Sequence, residues 1–129
     1  MRKLPKLEPE TAFYWTCGAD GRLRIQRCGH CGTYQHPPFP RCSNCGSEAV
    51  APAPVSGKGR LASYTVNHEA WVPGLAVPFV FGVVELAEQA QLYVFTNVLE
   101  GEVRIGMPLT VEFEHHDDVW LPMFREDRE

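Results

Sequence analysis

Two short stretches, Cys28-Gly-His-Cys31 and Cys42-Ser-Asn-Cys45, decide the fold of the first half of this chain. A glycine follows each stretch directly, which lets the backbone turn tightly so that N–H groups can point at the sulfurs. Two such pairs close together can supply four thiolates to one tetrahedral metal ion. The spacing therefore predicts a zinc ribbon in which Cys28, Cys31, Cys42 and Cys45 bind a structural zinc.

Other uses of paired cysteines fit less well. Four thiolates also suit iron, so the ligand types leave zinc and iron open. Disulfides are disfavoured because no apolar signal-peptide stretch follows Met1 and because Cys17 would stay unpaired. A thioredoxin-like motif needs a strand that enters a helix, whereas proline and glycine flank both pairs. His30 and His36 lie near the pairs, and with four cysteines present they are expected to be bystanders.

Composition and charge limit the remaining possibilities. The chain has 129 residues and is 44% hydrophobic, which is enough for one modest core plus a small metal-bound module. No apolar run is long enough to span a membrane, so we expect a soluble, cytoplasmic protein. Residues 1–50 contain seven Lys or Arg against four Asp or Glu, and residues 51–129 contain five against twelve. The second half is thus strongly acidic.

The chain divides into four predicted parts: a helical segment (1–20), the zinc ribbon (21–50), a Pro/Gly/Ser linker (51–59) and a β-barrel (60–129). The helix is expected from Pro5 to Thr16, and a strand from Arg22 to Arg27 leads into the first cysteine pair. Five short strands rich in β-branched and aromatic residues favour a five-stranded OB-fold barrel in a mainly β protein. The predicted barrel strands are Arg60–Asn67, Phe79–Leu86, Gln91–Val98, Leu109–His115 and Trp120–Phe124.

Five segments occur together in an order and spacing typical of a known family. They are Phe13-Tyr14-Trp15, Gly21–Cys28, Pro37–Cys42, Ser56–Gly59 with the following Ser63–Val66, and Val103–Pro108. In these segments, and over nearly its full length, the chain resembles zinc-ribbon and OB-fold proteins that accompany acyl-CoA enzymes of the thiolase superfamily. Members are associated with archaeal acetoacetyl-CoA thiolases and with actinobacterial aldolases and hydratases of steroid side-chain breakdown.

The resemblance implies a non-catalytic subunit of a hetero-oligomer that sits on a thiolase-fold partner. The partner and this chain would share a CoA thioester as ligand. Lys58, Arg60 and Arg104 are the candidate contacts to the CoA phosphates, and solvated loop charge is the alternative role for them. Because these cations are few, we do not expect a complete CoA site from this chain alone.

Two apolar segments are candidates for the partner-docking or acyl-chain surface. Three consecutive aromatics at Phe13, Tyr14 and Trp15 cannot all face one side of a short helix. The loop from His68 to Pro78 is unusually apolar, and its Trp71, Val72 and Leu75 cannot all reach a small core. The alternative is that this loop folds back as a plug of the barrel.

Nucleic-acid binding and independent catalysis are the competing functions. An OB-fold that binds single strands needs cations, yet no Lys or Arg occurs from Leu61 to Val103. Cys17 has no sequence cue for a histidine partner, and neighbouring residues in His68-Glu69 or in the run 115–118 would point to opposite faces of a strand. We therefore assign no catalytic residue. A single-stranded nucleic-acid binder and a rubredoxin-like electron carrier remain the alternatives.

Overall fold

A computed structural model describes residues 7–9, 11–68, 79–99 and 103–127. It begins with a short helix α1 (Ala12–Thr16), which continues directly as a 3₁₀ helix (Cys17–Asp20) and ends at Gly21 in the left-handed conformation. The α-helix therefore ends at Thr16, as predicted, but begins later than expected, at Ala12. The N–H groups of Thr11 and Ala12 both donate to the Glu8 carbonyl, at 3.1 and 2.8 Å, which closes a turn before the helix begins. Residues 5, 6 and 10 of the predicted helix lie outside the described residues.

The ribbon contains a three-stranded antiparallel sheet of order β2-β1-β3. Its strands are β1 (Arg24–Cys28), β2 (Tyr34–Gln35) and β3 (Val50–Pro54). Part of the expected linker is thus a strand, because residues 51–54 pair with β1. Pro52 and Pro54 have no N–H to donate, and β3 tolerates them because it lies at the edge of the sheet.

Five strands then form a closed barrel of order β4-β5-β6-β8-β7, in which β7 pairs back onto β4. Neighbouring strands are antiparallel except for β6 and β8, which are parallel. This topology confirms the predicted five-stranded OB-fold. The strands are β4 (Lys58–Asn67), β5 (Phe79–Leu86), β6 (Tyr93–Leu99), β7 (Pro108–His116) and β8 (Val119–Glu126).

One hydrophobic core runs from the ribbon into the barrel. Leu23 and Ile25, at the start of the ribbon, belong to the same buried cluster as Leu86 and Phe124 of the barrel. A side-chain amide also joins the two parts: Gln89 Nε2 donates to the Tyr34 carbonyl and Gln89 Oε1 accepts from the Tyr34 N–H, both at 2.9 Å. The ribbon is therefore packed against the barrel.

Strands β6 and β8 differ in how their side chains are covered. Along β6 buried and more exposed residues alternate, as expected of a sheet with one face in a core. In β8 the residues at 119, 121 and 123 form a second buried cluster on the opposite side from the core, and Leu7 and Trp15 pack on it. The N-terminal segment thus covers β8. No helix among the described residues is long and apolar enough to cross a membrane.

Candidate functional site

The two cysteine pairs form two copies of the same turn. The Gly32 N–H donates to the Cys28 carbonyl and the Gly46 N–H to the Cys42 carbonyl, both at 2.9 Å. Both glycines have positive φ, 80° and 77°, which is the conformation that a residue without a Cβ adopts at low cost. The structure therefore confirms the repeated knuckle that the sequence predicted.

The four cysteine sulfurs converge on one point. All four Sγ atoms lie within 4.8 Å of one another, with 3.6 Å between Cys28 and Cys45 and 3.5 Å between Cys31 and Cys42. Sulfurs held about 2.3 Å from one zinc ion in a tetrahedron would lie about 3.8 Å apart. The donor set and its spacing thus fit a four-cysteine zinc site.

The backbone prepares the sulfurs to carry negative charge. The first cysteine of each pair accepts from the N–H groups two and three residues further on, at 3.3 and 3.4 Å for Cys28 and at 3.3 and 3.5 Å for Cys42. The Thr33 hydroxyl, 3.2 Å from Cys31 Sγ, contributes most to lowering the pKa of that thiol to about 5. Donors of this kind stabilise a thiolate.

Four thiolates this close cannot coexist without a cation. The backbone of Ser47 lowers the pKa of Cys45, but burial and hydrogen bonds with the three other thiols outweigh it and raise the pKa to about 12. A divalent metal relieves this conflict, since it binds the thiolates directly and offsets half of their combined negative charge. The cluster therefore needs its metal to reach the four-thiolate state.

Two of the predicted phosphate contacts lie in one cavity and are already paired. Lys58 and Arg60 line a cavity of about 490 Å³ at the end of the barrel. Lys58 Nζ lies 2.9 Å from Asp127 Oδ2, and Arg60 Nη1 donates to the Gly106 carbonyl at 3.1 Å. Since Glu85 and Asp127 also line this cavity, the two cations and two carboxylates among its described residues balance.

The third predicted contact, Arg104, lies outside the residues that line this cavity. Its Nη1 atom is 3.5 Å from Glu126 Oε2 at an exposed position. The structure therefore brings Lys58 and Arg60 together and places Arg104 beside a different carboxylate.

The N-terminal aromatics mostly serve the fold. Tyr14 is only 5% exposed and packs against the His36 ring, with centroids 4.7 Å apart, so its assignment to a docking surface is wrong. Phe13 and Trp15 are partly buried against the core. The physical reason is that α1 lies on the barrel and directs its middle aromatic inward. The predicted docking residues Trp71, Val72 and Leu75 lie outside the described residues.

The remaining reactive side chains do not form a catalytic arrangement in the described part of the chain. Cys17 is buried, its Sγ donates to the Tyr14 carbonyl at 3.3 Å, and burial raises the pKa of this thiol. The His115 ring stacks on Trp120 at 4.0 Å, and His116 Nε2 contacts the Glu114 carboxylate. Among the described residues, the four ribbon cysteines are the one cluster of three or more metal-ligating side chains.

Sequence reasoning missed an exposed aromatic pair on the barrel. Phe81 of β5 and Phe95 of β6 stack with ring centroids 5.9 Å apart, and Phe95 is 66% exposed. The sequence signal available was that Tyr93 and Phe95 lie two residues apart in a predicted strand and so share one side of it. The burial pattern of β6 shows that this side is opposite the core.

Comparison with known families covers both parts of the chain. Residues 15–51 match the family described as the rubredoxin-like zinc ribbon domain of ChsH2, and residues 53–114 match the C-terminal OB-fold domain of ChsH2. The four cysteines fall in the first match, which supports a structural zinc at the site described above.

Two characterised proteins are similar to almost the whole chain. A "Probable enoyl-CoA hydratase alpha subunit" of Thermomonospora curvata is 34% identical over 127 residues, 97% of this chain. A "3-oxo-4,17-pregnadiene-20-carboxyl-CoA hydratase alpha subunit" of Mycobacterium tuberculosis is 34% identical over 126 residues, 92% of this chain. This chain spans 40% and 39% of the lengths of these two relatives.

Solved structures give the same fold. The chain aligns with a chain of the "Ltp2-ChsH2(DUF35) aldolase" at a TM-score of 0.84 and 34% identity, covering 95% of this chain and 98% of that one. A DUF35-family protein from Sulfolobus solfataricus aligns at a TM-score of 0.64 with 15% identity, which shows the shared fold alone. With both domains matched and nearly all of a homologous chain covered, this chain belongs to the ChsH2 family of zinc-ribbon and OB-fold proteins.

Proposed function

We propose that this chain is a non-catalytic zinc subunit that docks on a thiolase-superfamily enzyme and helps to form or stabilise that enzyme's acyl-CoA site. The observation that carries the proposal is the likeness to the ChsH2-type chain of an aldolase complex, which covers 95% of this chain at a TM-score of 0.84. Both hydratase relatives are named as alpha subunits, which fits assembly with another chain.

The charges of the cavity at Lys58 and Arg60 indicate how this chain would take part in an acyl-CoA site. A CoA phosphate arriving there would meet Asp127 and Glu85 beside the two cations. The partner must therefore supply most of the positive charge, and the site would be complete only in the assembly. The substrate named for the Mycobacterium tuberculosis relative favours a steroid side-chain CoA thioester as the shared ligand.

Capture from the native host tests the assembly. The tagged full chain should recover a thiolase-superfamily enzyme in a fixed stoichiometry, identified by mass spectrometry of the purified complex. Recovery of no acyl-CoA enzyme would contradict the proposal.

Calorimetric titration with CoA thioesters tests the shared site. The complex should bind the thioester at least about tenfold more tightly than this chain alone, since the two cations that the structure describes in this cavity are matched by two carboxylates. Arg60→Gln should weaken binding by the complex, while Arg41→Gln on the ribbon, which removes an equal charge far along the chain, should leave it unchanged. Equal binding by the chain alone and by the complex would refute a shared site.

A further inference from the structure

The outer side of β5 and β6 carries an exposed aromatic face, defined by Phe81, Tyr93 and Phe95. These side chains are 37%, 40% and 66% exposed. The Phe81 and Phe95 rings stack at an interplanar angle of 29°, so that two of the three form one continuous apolar surface. Isolated exposed apolar residues are common on proteins, whereas contiguous ones usually mark an interaction surface.

The exposed aromatic side chains of β6 add little to the hydrophobic core of this chain. Val94, Thr96 and Val98 alternate with them along β6 and are buried, so the core lies on the opposite side of the strand. The chain does cover the outer side of another strand: the N-terminal segment packs on the β8 cluster at 119, 121 and 123. Aromatic side chains with rigid rings are preferred anchors of protein interfaces.

The strand register shows what surrounds the aromatic face. Phe95 pairs with Val83 across the two strands, and Tyr93 pairs with Glu85. On the neighbouring strand β4, Ser63 pairs with Val83 and Thr65 with Phe81. Phe81 also pairs with Asn97, and Glu85 pairs with Arg60 of β4. The surroundings are therefore apolar or uncharged, apart from one carboxylate that faces a cation of this chain.

Charge excludes some occupants of this face. The described residues from 61 to 99 contain no Lys or Arg, whereas an OB-fold that binds nucleic acid combines aromatics with cations on its binding strands. A solved chain that matches 95% of this one belongs to an aldolase named for two proteins, Ltp2 and ChsH2, so we take a partner enzyme as the occupant. A protein surface with an apolar pocket complements the face in both shape and polarity.

We infer that the aromatic face is the surface on which the partner enzyme sits, with Phe95 inserted into an apolar pocket. The inference rests on the proposed function and adds to it the side of the barrel that meets the partner. It replaces Tyr14, which is buried, as the aromatic docking element within the described residues.

The test compares two equally exposed phenylalanines in the full zinc-bound chain. Phe95→Glu adds a charge at the centre of the aromatic face, and Phe39→Glu adds the same charge on the ribbon, where Phe39 is 60% exposed. Binding to the purified enzyme recovered in the capture experiment is measured by calorimetry. Phe95→Glu should weaken binding by about 30-fold or more, and Phe39→Glu should change it by less than about threefold.

A milder variant keeps the test decisive if the charge disturbs folding. Phe95→Ser removes the ring without adding a charge, and it should still weaken binding by about tenfold. Zinc content and far-ultraviolet circular dichroism check that each variant is folded. Wild-type affinity in folded Phe95→Ser and Phe95→Glu would overturn the inference.

The remaining outcomes separate this inference from the proposed function. If the wild-type chain binds no thiolase-superfamily enzyme, the proposed function has failed. If the wild-type chain and Phe95→Glu bind it equally, only the placement of the interface has failed. A dimer in light scattering that Phe95→Glu dissociates, or single-stranded DNA binding at low salt that the same variant abolishes, would overturn the inference in favour of those occupants.

Discussion

The outer sides of two neighbouring barrel strands, β8 and β6, differ in whether other residues of the chain cover them. Strand β8 is buried on both sides because the barrel core takes one side and the N-terminal segment with Trp15 packs on the other. Its parallel neighbour β6 has the core on one side and leaves Tyr93 and Phe95 on the other. The chain thus covers β8 with its own residues, and we expect the partner enzyme to cover β6.

Metal removal should have the largest effect, and it should fall on the ribbon and the covered side. Binding energies of structural zinc are on the order of 10 kcal/mol in small domains, and little else in the knuckles offsets the repulsion between thiolates. Hydrogen exchange with chelator should show lost protection across residues 24–54 and at α1, because Tyr14 packs against His36 of the ribbon. Strands β5 and β6 should stay protected.

Metal analysis supplies the control for that experiment. One zinc per chain in a colourless protein is expected, and Cys42→Ser should reproduce the effect of the chelator. A coloured iron protein, or equal loss of protection in all five barrel strands, would contradict the prediction.

Gly18→Val should break the contact between the N-terminal segment and the barrel. A Cβ at this position would lie 2.5 Å from Trp120 Cβ and 2.6 Å from Phe113 Cδ1, so the 3₁₀ helix would have to move away. Overpacking of this kind costs about 1–3 kcal/mol, measured as the free energy of unfolding in urea. Ala19→Val, one residue further along the same helix at an exposed position, is the matched control and should cost much less. Equal losses in the two variants would argue against a tight seal.

Truncating one side chain to alanine on each strand compares how much the two outer sides contribute to stability. Leu121 is 7% exposed and packs under the N-terminal segment, so Leu121→Ala should cost about 2–4 kcal/mol of unfolding free energy. Phe95→Ala removes a larger side chain but should cost less than about 1 kcal/mol, since that ring is mostly in water. Urea denaturation of the two variants in parallel gives the comparison. A larger cost for Phe95→Ala would mean that the aromatic face stabilises this chain.

Acid should lower the free energy of unfolding through protonation of His36 in the ribbon. Burial lowers the pKa of His36 to about 4, so the unfolded chain, with a pKa of about 6.5, binds the proton more readily. The stabilising contribution is complete above pH 6.5 and is lost as the pH falls toward 4, which amounts to roughly 2 kcal/mol between pH 7 and pH 5.

His36→Phe isolates this contribution. The variant keeps all four cysteines, so acid release of the metal affects it and the wild type alike, while the histidine contribution is gone. The difference in unfolding free energy between the two proteins should change by roughly 2 kcal/mol between pH 7 and pH 5. A difference that does not change with pH would show that His36 titrates normally.

The sequence predicts features that depend on local spacing and misses those that depend on register. The cysteine knuckles follow from four residues and a glycine each, and the barrel strands follow from runs rich in β-branched and aromatic residues. The direction of Tyr14 depends on how α1 lies on the barrel, which no local pattern determines. The stacking of Phe81 on Phe95 depends on the β5–β6 register, which the sequence does not give. Pro52 and Pro54 argue against a strand because proline has no N–H to donate. Strand β3 forms nevertheless because it lies at the sheet edge, where only one neighbouring strand has to be paired.

Hydroxyl-radical footprinting of the chain alone and in complex with its enzyme tests the docking claim most directly. Phe81, Tyr93 and Phe95 should be oxidised in the free chain and protected in the complex, while Phe39 and Ile105, 60% and 62% exposed, should react equally in both states. Unchanged oxidation of the three aromatic-face residues, together with protection of Phe39 on the ribbon, would contradict the account.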